Sequence, residues 1–170
     1  SNYLKITVNI YLTGDDNFTP IKDFTGNFNG DMHTITGLNI VKEDGKTAFF
    51  EIVKWGGAVN NLGLINANVE NTASGETAAL VAYLDGNPIS NCFVIGGEIK
   101  GKSATGGLVG QTANWTSSEV LIVKDCFAAN TVIGDAAGGI IGRHNGGANP
   151  IAVDNVAFYG ETIDLDESGT

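Results

Sequence analysis

Few side chains in this chain of 170 residues are of a type and spacing that could do chemistry. The only histidines are His33 and His144. They lie far apart and in no helical His-Glu-x-x-His pattern, so the zinc-peptidase arrangement has no ligand set here. The only cysteines are Cys92 and Cys126, too few for a disulfide framework or a four-ligand zinc site. Each precedes a phenylalanine, Phe93 or Phe127, which reads as two core thiols stacked on neighbouring strands. A disulfide between them is conceivable by Cα separation but strained, because their side-chain vectors run parallel. Asp125 and Asp154 come nearest to the paired carboxylates of a glycosidase, which must stand about 5–9.5 Å apart, but they are one residue out of phase. Asp15, Asp16 and Asn17 form an oxygen-rich turn, well short of the about 6–8 oxygens that calcium takes. The expectation is therefore no catalytic residue, no metal and no cofactor.

What positions these residues is a repeat. Val59-Asn60-Asn61-Leu62, Ile89-Ser90-Asn91-Cys92, Val123-Lys124-Asp125-Cys126 and Val153-Asp154-Asn155-Val156 line up, with starts 30, 34 and 30 residues apart. About twenty residues after the first three come Ala78-Ala79-Leu80-Val81-Ala82, Gly106-Gly107-Leu108-Val109-Gly110 and Gly138-Gly139-Ile140-Ile141-Gly142. Thr47-Ala48-Phe49-Phe50 reads as a degenerate earlier copy. Ten residues into each unit another β-branched residue recurs, at Val69, Ile99, Ile133 and Ile163. No stretch keeps a helical period, which excludes ankyrin and tetratricopeptide arrays. Three short strands per unit of about 30 residues suit one coil of a parallel β-helix, whose coils bury their apolar faces only against each other.

The fold expected is thus all-β, a single-stranded parallel β-helix of about five coils. It forms one domain over 1–170, with units near 18–58, 59–88, 89–122, 123–152 and a partial 153–165. Leu4, Ile6, Val8, Ile10 and Leu12 alternate with polar residues and read as a first strand that begins or caps the stack. Asn61, Asn91, Asp125 and Asn155 fall in one column about 4.8 Å apart, where amides could form a ladder and tolerate a left-handed corner. The small residues Ala78, Gly106, Gly138 and Ala82, Gly110, Gly142 form two further columns, at backbone turns or where sheets approach closely. The acidic tail Asp164, Asp166, Glu167 would blunt the far end.

Composition narrows the partners. With 19 acidic against 9 basic residues the net charge is −10, which repels nucleic acid and anionic membranes. No apolar run approaches the roughly 20 residues of a membrane-spanning helix, so no membrane insertion by this segment is expected. No basic start followed by an apolar stretch is present.

Phe24-Thr25-Gly26-Asn27-Phe28-Asn29-Gly30-Asp31-Met32-His33-Thr34-Ile35-Thr36-Gly37-Leu38 resembles the F-x-G-x-F-D-G-x-G-H-T-I-x-G-L segment that opens GLUG-repeat domains. Gly106-Gly107-Leu108-Val109-Gly110 matches the motif that names the family, and Ile89-Ser90-Asn91-Cys92 resembles its I-x-N-C segment. Asn29 stands where Asp is usual, Met32 where Gly is usual, and Ala78 to Ala82 has lost every glycine. The resemblance covers nearly the whole chain. It implies a right-handed β-helix from a secreted or bacterial cell-surface protein, of the kind found in adhesin-like proteins and beside the catalytic part of some IgA-cleaving metallopeptidases. It brings no catalytic residues.

The functional expectation is a non-catalytic surface module, monomeric or part of a longer chain. It would bind a glycan or a host or matrix protein, or space another domain. A carbohydrate-active β-helix enzyme is the alternative. Between each unit's last strand and the next unit start lie loops 52–58, 83–88, 111–122 and 143–152, which hold Trp55 and Trp115 with Tyr83 and His144 at nearby offsets; if a ligand exists, it belongs at the corner of loops 52–58, 111–122 and 143–152. There Trp55 and Trp115 lie two coils apart, about 10 Å by strand spacing, with His144 between or beyond them. The competing reading packs each tryptophan over its own loop.

Overall fold

In the computed structural model, which describes residues 2–85, 88–115, 120–145 and 150–165, the chain winds as a parallel β-solenoid. Every strand pair is parallel, and no helix occurs among the described residues. Three sheets run along the stack. The largest holds 13 strands and wraps two faces of each turn. A four-stranded sheet holds Phe50–Val53, Val81–Asp85, Val109–Ala113 and Ile141–His144. A three-stranded sheet holds Thr77–Ala78, Ala104–Gly106 and Ala136–Gly138. There are about four complete turns, not the five expected. Each complete turn gives one strand to the four-stranded sheet, whereas the segments at either end add strands only to the large one.

The first corner of each turn explains the Asn column. Asn61, Asn91, Asp125 and Asn155 all have left-handed backbones, with φ of 56°, 52°, 53° and 49°. Of the eight non-glycine residues with positive φ among the described residues, seven are Asn or Asp. These side chains tolerate that conformation better than other residues do. The column bonds only in part. Asn61 donates to Asn29 Oδ1 at 3.0 Å and Asn155 to Asp125 Oδ1 at 2.7 Å. The exposed Asn91 side chain has no hydrogen bond among the described residues. A continuous amide ladder is therefore absent, and backbone geometry selects the residue type.

The chain start must follow the same corner. The expected strand through Leu4–Leu12 is split into Tyr3–Lys5 and Ile10–Tyr11, which pair with Asn27–Asn29 and Thr34–Thr36 on either side of the Gly30–His33 turn. Val8 is consequently exposed. Asn9 Oδ1 accepts from the Thr34 amide at 3.0 Å and meets the His33 ring at 3.3 Å. Asn17 clamps the amide and carbonyl of Val41, so its side chain is committed to the fold.

One expected column is corrected. Ile99 pairs with Val69 and with Val132, and Ile133 pairs instead with Lys100. Gly96 and Gly97, with φ of 68° and 85°, put one extra residue between Ile95 and Glu98 relative to Ala129 and Thr131. Leu121–Gly134 has no such corner and runs as one strand of 14 residues.

The interior holds one main apolar core. Its columns include Val59, Ile89 and Val123; Leu62, Cys92 and Cys126; and Leu64, Val94 and Ala128. The glycine columns mark where the four-stranded sheet folds back against the three-stranded one. A Cβ on Gly110 would stand 2.7 Å from Ala82 O and 2.9 Å from Thr77 N, and one on Gly142 2.6 Å from Thr105 N. Ala48, Ala78 and Ala82 fill the same seam one and two turns earlier as a small second core. Thr47 and Phe50 pair with Thr77 and Val81, which makes Thr47–Phe50 the first copy of this element.

Candidate functional site

The loops singled out in the sequence start later than expected, because strand structure continues to Val53, Asp85, Ala113 and His144. Residues 86–87, 116–119 and 146–149 of those loops lie outside the described residues, as do Asp166 and Glu167 of the tail. The four strands are in register, so their side chains form columns. Val53, Leu84, Thr112 and His144 form one; Ile52, Tyr83, Gln111 and Arg143 form the next.

His144 belongs to the first column, whose other members are buried in the core. Its Nδ1 pairs with Thr112 Oγ1 at 2.9 Å, which fixes the ring at the open end of the stack. His144 lies one turn beyond Trp115, not between the tryptophans.

The second column faces outward and is linked by polar contacts. Arg143 donates through Nε and Nη2 to Gln111 Oε1, at 2.9 and 2.5 Å. It also approaches Glu76 at 4.0 Å. Glu76 pairs with Lys46 at 3.1 Å, and the Lys46 ammonium sits 5.1 Å from the centre of the Tyr83 ring. Burial, then the nearby Asp85 carboxylate, push the Tyr83 phenol above its ordinary value, while the Trp115 indole and Lys46 pull the other way. Asp85 Oδ1 is buried without a hydrogen-bond partner among the described residues. Trp115 thus joins a cluster with Tyr83. Sequence reasoning placed Tyr83 near it but missed Lys46, Glu76, Gln111 and Arg143. Only the strand register brings those together.

Trp55 stands in the tight turn Lys54–Gly57, closed by the Gly57 amide on Lys54 O at 2.8 Å. Trp55 is 62% exposed and Trp115 57%. Neither is packed away as a local mini-core. They mark the same end of the four-stranded sheet with one turn between them, since the strand order runs from Phe50–Val53 through Val81–Asp85 to Val109–Ala113.

Cys92 and Cys126 are buried, free and adjacent in register. Their thiols donate to the carbonyls of Ser90 and Lys124, at 3.3 and 3.1 Å. Burial pushes the Cys92 thiol well above its ordinary value, so it stays protonated and inert. Asp125 and Asp154 are not joined as a carboxylate pair. Asp125 is bonded to Asn155, and Asp154 pairs in register with Lys124.

The fold has a solved counterpart. A crystal structure from Bacteroides ovatus, described as a candidate immunoglobulin A1 protease, superposes with a TM-score of 0.70 at 21% identity. The match takes in 94% of this chain and 60% of that one. At this identity the likeness shows the β-solenoid fold alone. No family model matches the chain. Halomucin from Haloquadratum walsbyi is 33% identical over 131 residues, which is 72% of this chain but 1% of halomucin. The chain therefore spans about a hundredth of the length of that relative.

Proposed function

We propose that this chain is a non-catalytic module of the GLUG-repeat kind, acting at a cell surface or after secretion. It holds a glycan or a protein against the edge marked by Trp55 and Trp115. The observation that carries this reading is the exposure of both tryptophans at one end of one sheet. Tryptophan is highly buried on average, so two exposed at one edge stand out, and it is among the residues most enriched at binding hot spots. The sequence similarity to a stretch of a very long protein supports a module embedded in a larger architecture. The repeat-phase residues are occupied by structural tasks: left-handed corners, sheet-to-sheet contact and core thiols. That directs the search for function to places where one turn departs from its neighbours. The net charge of −10 favours a neutral or cationic ligand over an anionic one.

The test is a glycan and matrix-protein array probed with the native chain and with Trp55→Ala and Trp115→Ala. Retention that falls at least tenfold in either variant supports the tryptophan edge. Retention unchanged in the double variant removes it. Turnover of any glycan or peptide that depends on a residue of this chain would replace the binding reading with an enzymatic one.

A further inference from the structure

A second feature lies on the large sheet, beside the left-handed corner, and the tryptophan edge takes no part in it. Thr34, Gly63, Phe93, Phe127 and Ala157 are equivalent residues of successive turns. The two phenylalanine rings lie flat on each other, 5.3 Å apart and 6° from parallel. The Phe93 ring fills the space above Gly63, where a Cβ would stand 2.2 Å from its Cζ. At the other end the stack stops. Ala157 follows Phe127, and the large side chain of this turn comes one residue later. Phe158 packs against the core, against Gly139.

The outcome is an open cavity of about 410 Å³ lined by Asp125, Cys126, Phe127, Asn155, Ala157 and Tyr159. Phe127 lines it and Phe93 does not, so the cavity borders the ring face that Phe93 leaves uncovered. Its volume is in the range of small-molecule sites. Tyr159 is 78% exposed beside it. On its polar side Asn155 donates to Asp125 at 2.7 Å, and both residues are otherwise exposed to solvent.

We infer that this slot is a binding subsite for one ring of a neutral glycan. A pyranose presents an apolar C–H face and a rim of hydroxyls. The face would continue the stack on Phe127, as aromatic surfaces suit amphipathic partners. The rim would meet the Asp125 carboxylate, the Asn155 amide and the Tyr159 hydroxyl, which between them accept and donate. A flat hydrocarbon or aromatic side chain would fill the slot but leave that polar side unmatched. A uronate or sulfated sugar would meet the Asp125 charge on a chain of net charge −10.

The site goes beyond the tryptophan-edge reading and is tested apart from it. The probes are the methyl glycosides of the neutral hexoses and of a hexuronate, at millimolar concentration, read by saturation-transfer NMR on the native chain. At least one neutral glycoside should receive saturation, concentrated on the C–H protons of one ring face, and the hexuronate should receive much less. Ala157→Phe extends the phenylalanine stack into the slot. In a Trp55→Ala/Trp115→Ala background, which removes the tryptophan edge, it should abolish the transfer with no loss of thermal midpoint. The exposed Tyr159→Ala should weaken binding at least fivefold. In that background, no transfer to any neutral glycoside, equal transfer to the hexuronate, or transfer that survives Ala157→Phe would each overturn the assignment.

Discussion

Asn91 separates two explanations of the residue that recurs at every first corner. If an amide ladder holds the corner, any residue without the amide costs about the same. If the left-handed backbone is what matters, glycine should replace asparagine freely and other residues should not. Asn91 has φ of 52° and an exposed side chain with no hydrogen bond among the described residues; its amide N–H donates to Lys124 O at 3.2 Å whatever the side chain. A Cβ-bearing residue without the short polar group costs about 1–2 kcal/mol in this conformation. Asn91→Leu should therefore lose about 1–2 kcal/mol, or about 2–8 °C in Tm for a domain of this size. Asn91→Gly trades unfolded-state entropy against an easier left-handed turn and should stay within about 0.5 kcal/mol of the parent. Asn61 is the internal control. Its amide donates to both Asn29 and Asn60, so Asn61→Gly should cost about 1 kcal/mol more than Asn91→Gly. Urea and thermal denaturation followed by circular dichroism measure all three. An Asn91→Gly protein as unstable as Asn91→Leu would refute the backbone argument and restore the ladder.

Among the described residues Met32 is the one with positive φ that is neither Asn, Asp nor Gly, at 64°, and it is 65% exposed. Met32→Gly should raise stability by about 0.5–1 kcal/mol, visible as a higher Tm, and a fall would show that its side chain matters. Gly110→Ala would drive a Cβ to 2.7 Å from Ala82 O, in the seam between two sheets, and should cost about 2 kcal/mol or more by chemical denaturation. The Cys92 thiol is raised by burial, so its contribution is fully present below the ordinary thiol value of 9.0 and is lost as pH climbs above it. The parent should thus lose stability above pH 9 faster than Cys92→Ala, by up to about 1.4 kcal/mol per pH unit; parallel curves would remove Cys92 as the cause.

The fold was legible where the repeat imposes a physical demand on residue type. A left-handed corner favours Asn, Asp or Gly, and the seam between the sheets needs Gly or Ala. Both demands recur every turn, so both show as columns in the sequence. Legibility failed where local pattern and tertiary path diverge. The alternation from Leu4 to Leu12 has the period of a single strand, but the chain must follow a corner already set by Gly30–His33, and the strand breaks there. The Ile133 misalignment has the same origin. The turn through Leu121–Gly134 has one residue fewer at this corner than the turns through Ile65–Val69 and Ile95–Ile99, and counting ten residues from each unit start cannot detect a deletion inside the unit.

The candidate sites follow the opposite logic. In a solenoid the residues that recur are spent on stacking, so a binding surface must be sought where a turn departs from its neighbours. Trp55 and Trp115 are such departures, and they stand exposed. The exchange at Ala157 and Phe158 is another. Two turns place Phe outside, and the last places it inside, which ends an aromatic column and leaves a ring-sized gap in the same step. Neither half of that exchange is informative alone, because Ala and Phe are both ordinary strand residues. The gap has meaning only when the register puts Ala157 beside Phe127 and Asn155 beside Asp125. That is why the sequence pointed to the Asn column but not to the slot next to it.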